Sequence, residues 1–187
     1  MVLKKIKTLN TNNTVLLIID IQEKLLNAVF NKNTLIKKLE ILTKASKILN
    51  IPTIVTEQYP KGLGETIAII KDNLPENFYF FEKTDFNALK NPQLIKILKQ
   101  IKHKSILLIG IETHICVYQT AIALANAGYD VTVISDVCGS RAEEEYNNAL
   151  DVIKTFGINV KTTEMILFEL LKGSKNTNFK KIQSLIK

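Results

Sequence analysis

Residues 107–130, LLIGIETHICVYQTAIALANAGYD, change character partway along. With Ser105 and Ile106 ahead of it, the first part is a short continuous apolar run, as expected of a strand buried on both faces. From Thr113 a helix-like run follows, ending at Gly128, a residue type that closes helices. DVTVISD, Asp130 to Asp136, then opens another apolar run. A strand, a helix and a second strand in so short a stretch describe one unit of a parallel sheet.

The same alternation extends in both directions. TVLLIID (14–20), IPTIVTE (51–57), NFYFFEK (77–83), SILLIGI (105–111), DVTVISD (130–136) and INVKTTE (158–164) read as strands. Between them, NTLIKKLEILTKASKILN (33–50) has helical spacing and is stopped by Asn50 and Pro52. NPQLIKILKQIKH (91–103) offers Asn91 as a cap and Pro92 at the first helical position. AEEEYNNALDVIKTFG (142–157) is closed by Gly157, and EMILFELLKG (164–173) and NFKKIQSLIK (178–187) look helical. Pro60, Gly62 and Gly64 mark a long loop. The expectation is a three-layer, Rossmann-like α/β fold. Its parallel six-stranded sheet runs in the order 3-2-1-4-5-6, with helices on both faces. No repeat, low-complexity linker or break in composition divides the chain, so residues 1–187 are expected to form one domain.

Composition narrows the function. The chain has 187 residues, 46% hydrophobic and 23% charged, enough to build a core. No apolar run approaches the roughly 20 residues that cross a bilayer, so no membrane role is expected. The opening MVLKKIKTLNTNNT has lysines but no apolar h-region, so no signal peptide is expected. Two cysteines, Cys116 and Cys138, make no disulfide framework, and a cytoplasmic location is the expectation. The net charge of +7 comes from lysines scattered along the chain, with Arg141 the only arginine. Arginine is the preferred side chain for bidentate phosphate and base contacts, so nucleic acid is not the expected partner.

In open parallel sheets, ligands bind beyond the carboxyl ends of the strands, near the reversal of strand order. Asp20 ends the first strand, Lys83 ends the third, and Cys116 follows the fourth. Each has an ordinary reading as well. Asp20 could cap a helix, Lys83 could lie in solvent, and an isolated cysteine is usually a small core residue. Cys138 fits that last reading. Lys83, however, follows the aromatic run FYFF, which should be at least partly buried. With Thr113 as a cap, Cys116 falls in the first turn of a helix, where the dipole and free N–H groups lower a thiol pKa.

The segments LLIIDIQ, TEQYPKGLG, FEKTDF, GIETHICVYQTAIALANAGYDVTVISD and TTEMILFELL, in this order, resemble the isochorismatase-like (cysteine hydrolase) superfamily. The likeness is greatest to its isochorismatase-domain-containing branch. It runs from about Thr14 to the C-terminus. The resemblance implies a catalytic set of Asp20, Lys83 and Cys116. It also implies an oxyanion hole from the N–H groups of Glu112 and Cys116, and a non-proline cis bond between Ile111 and Glu112. Tyr59, Leu63, Phe86 and His114 are candidate pocket residues, though His114 could equally face solvent.

Nicotinamidases of this superfamily place metal-binding histidines after the second strand. Here that region reads TEQYPKGLGET, and the only histidines are His103 and His114. No metal or other cofactor is therefore expected. Retention of Cys116 points to hydrolysis of a small amide or related C–N bond through a thioester. The alternatives are hydrolysis of a chorismate-like vinyl ether, or a non-catalytic scaffold or RNA-associated protein keeping the fold. The resemblance further implies a homo-oligomer, a dimer or larger, for which EMILFELL could supply an interface.

Overall fold

A computed structural model describes residues 8–187; the expectation about a signal peptide falls on the start of the chain, largely outside them. Its centre is a six-stranded sheet of β1 (Thr14–Ile19), β2 (Thr53–Gln58), β3 (Phe78–Lys83), β4 (Ser105–Ile111), β5 (Asp130–Gly139) and β6 (Asn159–Lys161). The order is β3-β2-β1-β4-β5-β6, as expected, and every pairing is parallel. Strands β1 and β4 lie side by side at the centre and are buried along their whole length. Their sequences accordingly lack the polar alternation of a half-exposed strand.

The main helices are α1 (Glu23–Ala28), α2 (Lys32–Ile48), α3 (Pro60–Leu63), α4 (Ala68–Asp72), α5 (Pro92–Ile101), α6 (Tyr118–Asn126), α7 (Glu143–Thr155), α8 (Thr163–Leu171) and α9 (Phe179–Ile186). Helix α2 packs with α4, α8 and α9 on one face of the sheet, and α6 with α7 on the other. Local chemistry sets several of their ends. The Asn91 side chain accepts a 2.9 Å hydrogen bond from Gln93 N, with Pro92 opening α5. Thr162 caps α8, and Gly157, at φ +71°, follows α7.

Four expectations need correction. The stretch after β2 is not a bare loop but carries α3 and α4, each too short for periodicity to reveal. Strand β5 runs on to Gly139, because beyond a register shift that leaves extra residues in β5 it pairs again with β4, Gly110 with Cys138 and Ile111 with Gly139. Strand β6 keeps only Asn159–Lys161, since Thr162 is already committed to capping α8. The run from Thr113 is a π-helical turn, Thr113–Val117, followed by α6. The aromatic run is also divided. Phe81 is buried while Phe78 and Phe80 are exposed, because β3 is an edge strand covered on that face by little more than α4.

Register carries the site. Ile19 lies opposite both Thr56 and Gly110, and Gln58 lies opposite Lys83. The carboxyl ends of β1, β2, β3 and β4 therefore meet on one rim of the sheet.

Candidate active site

Asp20 sits one residue past β1 with φ +52° and is fully buried. It does not cap a helix. Its Oδ1 accepts a 2.6 Å hydrogen bond from Thr56 Oγ1, and its Oδ2 lies 2.6 Å from Lys83 Nζ. Lys83, at the end of the edge strand, turns its side chain inward to reach it. The ammonium is also 3.9 Å from Cys116 Sγ. The structure thus brings the acid, the base and the thiol together from β1, β3 and the segment after β4.

Cys116 is buried within the π-helical turn. Its thiol shares a hydrogen bond with the Asp20 carboxylate, and a backbone hydrogen bond from Glu112 also reaches it. The Ile111–Glu112 bond is cis. Burial, and then the charge of Asp20, push the thiol up to about 12, against the opposing pull of Lys83. That reverses the expected lowering. Free N–H groups at a helix start lower a thiol, but here the loss of water and the carboxylate alongside outweigh them. Burial also holds the Asp20 carboxyl above its ordinary range, opposed by Lys83 and by hydrogen bonds from Lys83, Thr56 and Cys116. In the hydrogen bond between them the thiol is the donor and the carboxylate the acceptor.

Thr113 does not cap the helix, contrary to expectation. The π-helical turn begins at Thr113 itself, with Glu112 in the capping position, and the Thr113 hydroxyl is buried with no hydrogen bond among the described residues. The Glu112 carboxylate goes elsewhere. Its Oε2 accepts a 3.0 Å bond from Arg141 N and lies 3.5 Å from His114 Nδ1. His114 Nδ1 is in turn 3.0 Å from Ser140 Oγ. His114 is therefore tied to the end of β5 rather than extended into solvent. Both contacts fall on the same nitrogen, so Glu112, His114 and Ser140 do not form a proton relay.

The remaining candidates lie further out. Tyr59 is exposed at φ +37° and helps line a cavity of about 240 Å³ beside Lys83, Asp85 and Lys90. Phe86 is exposed and Leu63 is half-buried in α3. Sequence reasoning missed Thr56, Ser140, Gln22 and Gln58. Their types are common in strands and turns, and only the register shows what they face.

The loop from Gln58 to Gly64 offers no His, Asp or Cys. Among the described residues, no three His, Cys, Asp or Glu side chains gather into a set that could hold a metal ion. The metal of nicotinamidases therefore does not fit here. No helix of the described residues is long and apolar enough to cross a membrane.

The isochorismatase domain matches residues 14–165. The chain is 37% identical over 183 residues to isochorismatase family protein 1A of Dictyostelium discoideum, covering 96% of this chain and 89% of that protein. It is 36% identical to the secreted isochorismatase effector Isc1 of Phytophthora sojae, covering 98% and 89%. Among solved structures it superposes on the MAR1 ribonuclease of Caenorhabditis elegans with a TM-score of 0.91 and 37% identity, covering 96% of this chain and 92% of that one. With the domain matched across most of its length and relatives of this identity, the chain belongs to the isochorismatase family of hydrolases.

Proposed function

We propose that this hydrolase cleaves a small amide or related C–N bond through a Cys116 thioester, without a metal. The observation that supports this most is the ion pair of Asp20 and Lys83, closed off from solvent beside a thiol that donates to the carboxylate. As Cys116 Sγ attacks the carbonyl carbon, its proton passes to Asp20. The oxyanion accepts hydrogen bonds from the N–H groups of Glu112 and Cys116. Collapse breaks the C–N bond, and Asp20 returns the proton to the leaving nitrogen. Water then loses a proton to Asp20 and attacks the thioester. The second collapse releases the carboxylic acid, and the sulfur recovers its proton from Asp20. Lys83 keeps Asp20 oriented and its charge compensated throughout. Tyr59, Leu63, Phe86 and His114 are proposed as the pocket walls.

A second reading is hydrolysis of a vinyl ether. The Asp20 carboxyl, held above its ordinary range by burial, suits proton donation to an enol carbon. A third takes its cue from the ribonuclease name of the C. elegans protein. One experiment separates them. Small amides, a chorismate-type vinyl ether and RNA are offered to wild type and to Cys116→Ala, with and without chelator. Release of ammonia or amine that vanishes in Cys116→Ala, survives chelation and leaves an acyl adduct on Cys116 in a quenched reaction supports the first reading. Vinyl-ether or RNA cleavage that survives Cys116→Ala overturns it.

We further propose that the chain acts as one domain in the cytoplasm, on a small molecule, and as a homo-oligomer. The exposed Met165 and Phe168 on α8 are the proposed contact.

A further inference from the structure

The Lys83 ammonium has three protons to donate, and the structure accounts for more than its ion pair. Besides Asp20 Oδ2 at 2.6 Å, Nζ donates to Gln58 Oε1 at 2.6 Å and to the Asp85 carbonyl at 3.1 Å. These acceptors use up its hydrogens. Sγ, at 3.9 Å, therefore feels Lys83 as a field rather than as a strong hydrogen-bond donor.

Gln58 is itself held at both ends. Its Nε2 donates to Thr84 O at 2.7 Å while Oε1 faces Lys83. Its backbone is gripped by the fully buried Gln22, just beyond β1. Gln22 Oε1 accepts from Gln58 N at 2.7 Å, and Gln22 Nε2 donates to Gln58 O at 3.1 Å and to Gly64 O at 2.6 Å. One side-chain amide continues the β1–β2 pairing past the strand ends, and the next does the same between β2 and β3. An amide committed in this way is not free to reorganise around a substrate.

We infer that Gln58 is a positioning residue for the proposed reaction, holding the Lys83 ammonium between Asp20 and Cys116 with an acceptor that carries no charge. The inference rests on the reading of Asp20 as the base for Cys116. Neutrality is the point of the choice. A carboxylate in place of the amide would compete with Asp20 for Lys83 and cancel the positive field that keeps Asp20 ionised. The groups that face Asp20 are the Lys83 ammonium and the Cys116 thiol, with Thr56 as its neutral partner. Glu57, next to Gln58 on β2, turns to the opposite face and accepts from Thr66 N.

The rate of Cys116 alkylation by iodoacetamide, followed against pH by mass mapping, tests this without knowledge of the substrate. In wild type the rate falls on an acid limb as Asp20 protonates, and Asp20→Asn abolishes that limb. Gln58→Glu keeps size and acceptor but adds charge, and should move the limb up by about one pH unit while lowering the plateau about tenfold. Gln58→Met removes the acceptor without adding charge, and should move the limb in the same direction by less. It also serves if Gln58→Glu fails to fold. A limb unmoved in the folded variants, while Asp20→Asn abolishes it, overturns the role of Gln58 alone. A limb absent from wild type, or unaffected by Asp20→Asn, overturns the reading of Asp20 and the role of Gln58 with it.

Discussion

Lys83 Nζ lies 2.6 Å from Asp20 Oδ2, with side chains that are 1% and 0% exposed. Such a pair is a weak source of stability when intact but costly to break, because the survivor stays charged in a medium that solvates it poorly. Lys83→Met should therefore destabilise the fold by about 3–5 kcal/mol at neutral pH. The loss should depend on pH in a definite sense. Without Lys83, the Asp20 pKa rises further above its unfolded value. The destabilisation is then largest above that pKa and shrinks as the pH falls through it and the carboxyl becomes neutral. Urea denaturation of variant and wild type across pH measures the difference. A deficit that does not shrink on acidification would mean that the charge on Asp20 is not what Lys83 compensates.

The same site shapes the pH dependence of thiol chemistry. A free thiolate nucleophile gains about tenfold per pH unit below its pKa. Cys116, pushed up to about 12 by burial and then by Asp20, cannot supply much thiolate near neutrality. In the proposed reaction its proton instead passes to Asp20, whose carboxyl burial holds above the ordinary range. Reactivity should rise as Asp20 ionises and then stay nearly level through neutral pH. A stopped-flow alkylation profile on folded protein checks this, with urea-unfolded protein as the steep reference. A profile as steep as the unfolded one would show direct thiolate attack and remove the base from the mechanism.

The fold was readable because its central strands are unambiguous. After Thr14 and Ser105 at their starts, TVLLII and SILLIGI hold only apolar residues and glycine, and each is followed by helix-forming sequence or a turn. The clustering of Asp20, Lys83 and Cys116 was legible in their residue types and places at strand ends, their supports less so. Gln22, Gln58 and Thr56 become specific only when register sets Gln58 opposite Lys83 and Ile19 opposite Thr56. The acidity of Cys116 is hidden from the sequence for a related reason. A helix start is visible in sequence, whereas a carboxylate brought in from a distant strand and the exclusion of water are properties of the assembled rim.

The two cysteines should differ in reactivity for a reason that is not acidity, since burial pushes both thiols up to about 12. Cys116 is 6% exposed and Cys138 0%. Cys116 also lies beside Asp20, the proposed base, while Cys138 lies in β5 opposite Gly110, inside the sheet. Brief iodoacetamide treatment of the native protein should modify Cys116 at least tenfold faster than Cys138. Asp20→Asn should narrow that ratio while leaving Cys138 unchanged. Mass mapping reads both sites in one digest. Preferential modification of Cys138 would contradict the burial of β5 and the nucleophile assignment together.

Gly110 is where the rim tolerates no side chain. It lies in β4 with φ +150°, and a Cβ built there would sit 2.3 Å from Ile19 O and 2.6 Å from Ile19 Cβ. These are atoms of the neighbouring strand's core, not the movable end of a flexible side chain. Relief would require β1 and β4 to separate beside Asp20. Gly110→Ala should therefore cost at least the upper end of the roughly 1–3 kcal/mol typical of overpacking, and should abolish the fast alkylation of Cys116 in whatever protein folds. Gly157→Ala is the control. Gly157 also has a positive φ, +71°, but nothing lies within 4 Å of the added carbon, so only backbone strain of about 1 kcal/mol is expected. Calorimetric melting of the two variants, with Cys116 labelling on each, makes the comparison. Equal losses of stability with labelling intact in both would show that β1 and β4 can part without disturbing Asp20, and that the site does not depend on their close approach.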